Sequence, residues 1–133
     1  MIKMYNFKGQ YKLIKKDIDK SIQNVLDDSA FSSGKYVEKF ENEFSNYIGS
    51  NYCVAVNNGT SALHVALSLV GVKSADEVIT SPLTFVATCN AIRYCGGEPV
   101  FVDIDPVTYN MNPAALAQWF DEAIDCRGAV KAI

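Results

Sequence analysis

The sequence predicts an α/β fold, in which crossover helices connect the strands of a mostly parallel sheet. From residue 52 onward, short apolar runs of strand length alternate with segments of helix length. A whole helix between consecutive strands favours parallel pairing, because antiparallel neighbours need only a short turn. The chain of 133 residues is 49% hydrophobic, so one substantial core is expected.

Two helices are predicted before this alternation begins, in a helical segment over residues 1–49. The first is amphipathic and is expected to end near Asp28. Its apolar residues recur at helical spacing, at Ile14, Ile18, Ile22 and Val25. The sequence Ser-Ser-Gly at residues 32–34 separates it from a second helix, which Gly49 is expected to end. The apolar side of that helix consists of Val37, Phe40, Phe44, Tyr47 and Ile48.

The remaining segment, residues 50–133, is expected to hold the alternating strands and helices. Strands are predicted at residues 52–56, 77–80, 99–103 and 129–133. Helices are predicted from Gly59 through Val70, over residues 84–95, and from Pro113 onward. Gly71 and Gly96 suit the ends of the first two helices. Asn112 suits the start of the third helix. Its side chain can accept hydrogen bonds from the backbone N–H groups of the first turn, which have no partner within the helix.

The chain ends and the cysteines predict whether the chain is part of a longer protein and which compartment it occupies. Residues 128–133 have the pattern of an unfinished strand, so the chain is interpreted as the front part of a longer protein. No apolar run near the amino end has the pattern of a signal peptide. The cysteines form no Cys-x-x-Cys pair, which favours a reduced, cytoplasmic protein. They are Cys53, Cys89, Cys95 and Cys126.

The charge balance argues against nucleic acid and membrane partners. Twelve Lys and Arg against fifteen Asp and Glu give a net charge of −3, which leaves no basic excess to neutralise phosphates. No stretch approaches the roughly 20 apolar residues that a bilayer-spanning helix needs. A protein that acts on small molecules is therefore the starting hypothesis.

The most specific candidate site is the junction of a strand and a helix at residues 57–61, with the sequence Asn-Asn-Gly-Thr-Ser. Ligands of parallel sheets bind beyond the carboxyl ends of the strands, and a helix start there favours a phosphate. Gly59 allows close approach of the backbone, while Thr60 and Ser61 add hydroxyl donors. The same residue types are also good caps and turn formers, so both interpretations stay open.

Two further candidates follow the next two strands. Phe85, in the sequence Ser-Pro-Leu-Thr-Phe at residues 81–85, could lie against a flat ligand ring or pack into the core. Asp103 and Asp105 could hold a divalent metal ion against a sugar-nucleotide diphosphate. Turn formation before Pro106 is the favoured role of these two carboxylates. His64, the single histidine, is interpreted as structural, and so are Tyr94 and Trp119.

Three segments in the same order and spacing carry a resemblance to a known family. They are residues 58–64 (Asn-Gly-Thr-Ser-Ala-Leu-His), residues 76–88 and residues 99–106. Together they resemble the DegT/DnrJ/EryC1/StrS family of pyridoxal-phosphate-dependent nucleotide-sugar aminotransferases. The resemblance implies that residues 50–133 are the amino-terminal part of the large domain of a fold-type-I transferase. It also implies a homodimer with pyridoxal 5'-phosphate near the subunit boundary.

The resemblance assigns four cofactor-binding residues. Gly59, Thr60 and Ser61 match the residues that bind the cofactor phosphate in this family, and Phe85 matches the aromatic residue that covers the pyridine ring. The implied reaction moves an amino group, from glutamate, to the keto group of a nucleotide-linked sugar in polysaccharide biosynthesis. No metal ion is implied.

The catalytic residues are not assigned, because the Schiff-base lysine of the family is expected beyond Ile133. The 133 residues alone are therefore expected to be inactive. A sugar dehydratase of the same family, with histidine in place of that lysine, is one alternative. A metal-dependent glycosyltransferase using Asp103 and Asp105 is another, and a truncated assembly partner without chemistry is a third.

Overall fold

A computed structural model describes residues 4–127 of the chain, with side chains described up to Ala123. Seven elements follow one another along it. They are α1 (Phe7–Asp27), α2 (Lys35–Ile48), α3 (Gly59–Leu69), β1 (Glu77–Thr80), α4 (Ala87–Tyr94), β2 (Glu98–Phe101) and α5 (Pro113–Arg127). The chain divides into two compact units, the first ending at Ala55 and the second beginning at Val56. No helix in the described part is long and apolar enough to cross a membrane.

The first unit contains α1 and α2. Helix α1 begins at Phe7 rather than near Ile14, because Asn6 caps it: the Asn6 Oδ1 accepts the Gly9 N–H at 3.0 Å. The predicted end of α1 is confirmed, since Asp28 is its carboxyl-terminal cap. The end of α2 at Gly49 is also confirmed, with Gly49 in the left-handed region at φ 73°.

The strand predicted at residues 52–56 does not form. In the described residues the sheet has two strands, and this segment pairs with neither. Side chains instead form hydrogen bonds with backbone groups that would pair with a neighbouring strand in a sheet. The Glu41 carboxylate accepts the Ala55 N–H at 2.7 Å, and the Ser50 hydroxyl donates to the Tyr52 carbonyl at 2.9 Å. The apolar pattern favours a strand, but a strand also requires a second strand with which it can pair.

The sheet of the second unit confirms the predicted parallel pairing. Strands β1 and β2 pair in parallel, with Glu77 opposite Glu98 and Thr80 opposite Phe101. Helix α4 is the crossover between them, so this unit is α/β as predicted. Strand β2 runs from Glu98 to Phe101 rather than from residue 99 to residue 103. The strand predicted at residues 129–133 lies outside the described residues.

The core of the second unit forms around α4, which packs against α3 and against both strands. Its buried apolar side chains are Val72, Ala91, Ile92, Val102 and Ala123. Ile92 is 1% exposed and comes from the buried side of α4. Gly97 packs against it: a Cβ at Gly97 would lie 3.2 Å from the Ile92 Cγ2 and 3.1 Å from a Val72 methyl carbon. A side chain at position 97 would therefore require Val72 or Ile92 to shift by a few tenths of an ångström.

Candidate functional site

The first turn of α3 holds the residues predicted to bind an anion. Asn58 caps the helix: its Oδ1 accepts the Ser61 N–H at 2.9 Å, and its carbonyl accepts the Ala62 N–H at 3.1 Å. The structure shows no acceptor in the described chain for the N–H groups of Gly59 and Thr60. The hydroxyls of Thr60 and Ser61 also lack a partner there, so they are not used as caps. This turn therefore offers four unused donors.

The surface in front of this turn is open. A Cβ built on Gly59 would meet no atom within 4 Å, and Gly59 is exposed. The space beside Gly59 can therefore admit a ligand as close as van der Waals contact with the backbone. Thr60 and Ser61 are half-buried, which limits the freedom of their hydroxyls. The residues present fit a phosphate group, since a helix start presents N–H donors and a partial positive charge.

Phe85 lies in the segment between β1 and α4 and is 79% exposed. It is therefore not part of the core that the described residues of this unit form. Helix α4 begins at Ala87 rather than at Thr84, because residues 82–84 form bends after β1. Two contacts to Thr88 hold this segment: its N–H donates to the Phe85 carbonyl at 3.2 Å, and its hydroxyl lies 3.3 Å from that of Thr84.

The topology brings the first turn of α3 and the Phe85 segment to the same edge of the unit. Because β1 and β2 are parallel, α4 runs back from the end of β1 to the start of β2. Helix α3 packs along α4, and their carboxyl ends meet where the Ser68 hydroxyl lies 3.5 Å from the Cys95 Sγ. Their amino ends therefore both lie at the edge where β1 ends, which is the ligand-binding edge of a parallel sheet.

Asp103 and Asp105 form a turn, as the favoured interpretation predicts. One oxygen of Asp105 accepts the N–H groups of Val107 at 3.0 Å and Thr108 at 2.7 Å, and the Thr108 hydroxyl at 3.0 Å. These bonds, above all the one from the Thr108 N–H, hold the pKa of Asp105 below its ordinary value of 3.8. Asp103 accepts the Ile104 N–H at 2.8 Å. Among the side chains of residues 4–123, which the structure describes, no three of His, Cys, Asp or Glu gather where they could hold a metal ion.

The turn predicts a pH-dependent contribution to stability. A carboxyl group whose pKa is lowered on folding stabilises the protein above its unfolded pKa, and this stabilisation is lost as the pH falls through the folded pKa. Asp105→Asn should therefore lower the thermal midpoint at neutral pH, and the difference from the parent protein should shrink below pH 3.8. Asp103→Asn serves as the matched control, with a smaller expected effect because Asp103 accepts a single N–H. A difference that persists unchanged at acid pH would contradict this role.

The remaining candidates lie in pairs of aromatic rings. His64 is half-buried and meets Tyr94 edge to face, with ring centroids 5.7 Å apart. Trp119 meets Phe120 in the same way at 5.2 Å. Trp119 also lines a shallow pocket of about 180 Å³, together with Asp103 and Glu122. Among the described cysteine side chains, Cys53, Cys89 and Cys95 are free thiols, while Cys126 lies outside the described side chains.

Comparison with known proteins gives a consistent family match. The model of the DegT/DnrJ/EryC1/StrS aminotransferase family matches residues 12–132. The UDP-2-acetamido-2-deoxy-3-oxo-D-glucuronate aminotransferase of Pseudomonas aeruginosa is 40% identical over 116 residues, which are 87% of this chain and 32% of that protein. The chain thus spans about a third of the length of the curated relatives it matches.

Solved structures show the same arrangement of elements. A DegT DnrJ EryC1 StrS aminotransferase from Brucella abortus matches 98% of this chain and 35% of its own, with a TM-score of 0.90 and 29% identity. The structure of ntda from Bacillus subtilis with bound cofactor PMP matches 77% of this chain and 24% of its own, with a TM-score of 0.74 and 37% identity. The match therefore extends from the sequence to the fold.

Proposed function

Because this chain belongs to the DegT/DnrJ/EryC1/StrS aminotransferase family, we propose that it holds pyridoxal phosphate through the first turn of α3 and the ring of Phe85. The main observation behind the proposal concerns the first turn of α3. Two N–H groups and two hydroxyls of this turn have no hydrogen-bond acceptor in the described chain. The exposed Phe85 at the same edge supports it. The phosphate and the flat ring are the parts of this cofactor that these residues could bind without a covalent bond.

The bound cofactor supplies an electron sink for amino-group transfer. The residues of this chain bind and orient it. The N–H groups of Gly59 and Thr60 and the two hydroxyls would fix the phosphate, while Phe85 would lie against the ring and keep water from one face. Fixing both ends sets the position of the reacting carbon relative to any residue that handles protons. The contribution of this segment is therefore geometric.

The proposed reaction moves an amino group from glutamate to the keto group of a nucleotide-linked sugar. The 133 residues by themselves are proposed to bind the cofactor without turnover, because none of their lysines matches the family position that holds it covalently. The test is incubation of the complete gene product with glutamate and a keto nucleotide sugar. Formation of an amino sugar and 2-oxoglutarate supports the proposal, and a deoxygenated sugar without nitrogen would favour the dehydratase instead.

We also propose that the protein is a cytoplasmic homodimer. Apolar side chains remain exposed in both units, including Leu13 at 88% and Val65 at 48%, and these surfaces suit contacts with a further chain. The three described free thiols agree with a reducing compartment. Light scattering that gives the mass of a monomer for the complete protein at micromolar concentration would contradict the dimer.

Phe85→Ala is expected to weaken binding of pyridoxamine phosphate by about threefold to tenfold, because ring stacking contributes roughly 0.5–1.5 kcal/mol. Pyridoxamine phosphate is the suitable probe, since its amine cannot bond covalently to a lysine. Phe85→Tyr keeps a stacking ring and should bind like the parent protein. Titration followed by the near-ultraviolet circular dichroism of the bound ring measures both affinity and ring orientation.

Leu83→Ala is the matched control for Phe85, because Leu83 lies in the same segment and is 59% exposed. It should leave the affinity and the dichroism unchanged. Equal losses in Leu83→Ala and Phe85→Ala would show that only the segment, and not the ring, matters.

A further inference from the structure

We propose that Thr88 positions the ring of Phe85, by holding the exposed segment that carries this ring to the core-facing side of α4. The inference rests on the proposed function, since it requires Phe85 to lie against the cofactor ring. Sequence reasoning assigned no role to Thr88. Thr88 is a positioning residue, which acts through Phe85 and makes no contact of its own with the cofactor.

The segment between β1 and α4 gains little from packing in the described residues. Leu83 is 59% exposed, Phe85 is 79% exposed and Val86 is 57% exposed. An aromatic ring that packing does not hold can adopt several orientations, and a ligand must select one of them when it binds. That loss of freedom lowers the affinity, and contacts that hold the segment beforehand reduce the loss.

Two hydrogen bonds hold the chain on both sides of the Phe85 Cα, and both end on Thr88. The Thr88 N–H donates to the Phe85 carbonyl at 3.2 Å. The Thr88 Oγ1 lies 3.3 Å from the Oγ1 of Thr84, the residue before Phe85. Among the described residues, this hydroxyl pair is the one side-chain hydrogen bond between residues 81–86 and α4. The orientation of Phe85 therefore depends on Thr88 more than on any other described side chain.

Thr88 is a suitable anchor because of its place on α4. It is half-buried and lies three and four residues before Ala91 and Ile92, which are 0% and 1% exposed. Residues at this spacing share one face of a helix, so Thr88 continues the buried face of α4 to its amino end. Its branched side chain also has few rotamers in a helix. The exposed segment is thus joined to the least exposed part of the second unit.

The hydroxyl pair is not a helix cap. Val86 is the residue at the amino-terminal cap position of α4, and no side chain forms a capping bond there. The Thr84 hydroxyl pairs with a second hydroxyl rather than with a backbone N–H of the first turn. Removal of the pair should therefore change the position of the ring without the loss of stability that follows removal of a cap.

The test removes either hydroxyl in the complete protein, with pyridoxamine phosphate as the probe. Thr88→Val keeps the branched shape, and its affinity should fall by about twofold to tenfold, as for the loss of one neutral hydrogen bond. Thr84→Val removes the other end of the same pair and should lose as much. Thr88→Ser keeps the hydroxyl and should retain most of the affinity. The near-ultraviolet circular dichroism of the bound ring should decrease in both valine variants but not in Thr88→Ser.

The decisive comparison uses Phe85→Ala as the background. A residue that acts through the ring has no effect on binding once the ring is absent, so adding Thr88→Val to Phe85→Ala should cause no further loss of affinity. A general structural role would instead produce the same loss in both backgrounds. Thermal unfolding of the same variants without ligand should give nearly equal midpoints for the parent protein and Thr88→Val.

The outcomes separate this inference from the proposed function. The inference is overturned if Thr88→Val binds pyridoxamine phosphate as tightly as the parent protein while Phe85→Ala binds it more weakly. It is also overturned if Thr88→Val loses equal affinity with and without the Phe85 ring. If Phe85→Ala itself binds like the parent protein, the proposed role of Phe85 fails and the inference fails with it.

Discussion

Replacing both Thr60 and Ser61 with alanine is expected to raise the dissociation constant for pyridoxamine phosphate by about a hundredfold or more. Each hydroxyl is proposed to donate to a phosphate oxygen, and a hydrogen bond to a charged group contributes about 1.5–3 kcal/mol. Both hydroxyls lack a partner in the described chain, so their loss should cost little stability. Isothermal titration of parent and double variant measures the affinity, and circular dichroism measures the helix content.

Thr60→Ser with Ser61→Thr is the matched control, since it exchanges the two side chains but keeps both hydroxyls. It should retain most of the affinity. The phosphate role of these residues would be refuted by a double alanine variant that binds the cofactor as tightly as the parent. A variant that loses both affinity and helix content would instead indicate a capping role, which the structure assigns to Asn58.

Ile92→Ala is expected to destabilise the protein by about 2–5 kcal/mol, the range for removal of a large aliphatic side chain from a core. Ile92 is 1% exposed, and its Cγ2 packs where Gly97 leaves room. Since domains are stable by only about 5–15 kcal/mol, this single change should remove a large part of the total. Urea unfolding followed by tryptophan fluorescence measures it.

Leu69→Ala is the control for this prediction, because it removes a comparable side chain that is 81% exposed. Its effect should stay within about 0.5 kcal/mol, as for most surface substitutions. Comparable destabilisation by the two variants would mean that the core of the second unit lies elsewhere.

Most of the fold could be predicted because its signals are local. Apolar spacing identified both amino-terminal helices, and Gly49 ended α2 as expected. Strand β1 was placed at its observed limits, residues 77–80. Asn6, a residue type that often caps helices, could have predicted that α1 begins at Phe7, because Asn6 is its amino-terminal cap. The strand expected at residues 52–56 failed because an apolar run does not reveal whether a neighbouring strand is present.

The sequence predicted the members of the candidate site, which stay a prediction, but not their arrangement. The strand-to-helix junction indicated Gly59, Thr60 and Ser61. The sequence alone did not show which residues of the junction cap the helix and which are left to bind a ligand. The structure makes that division, because Asn58 performs the capping and leaves the hydroxyls unused. Whether Phe85 was a core residue was equally undecided, and the structure leaves it 79% exposed, outside the core that the described residues form.

The amino-acid order by itself determined most of the elements and the family, and it predicted the residues that bind a phosphate. These follow from spacing and side-chain chemistry, which act over one or two helical turns. Tertiary structure alone decided that the starts of α3 and α4 share an edge and that Gly97 lies against Ile92 and Val72. The physical reason is that parallel crossovers and packing join residues distant in the chain, where local preference has no influence.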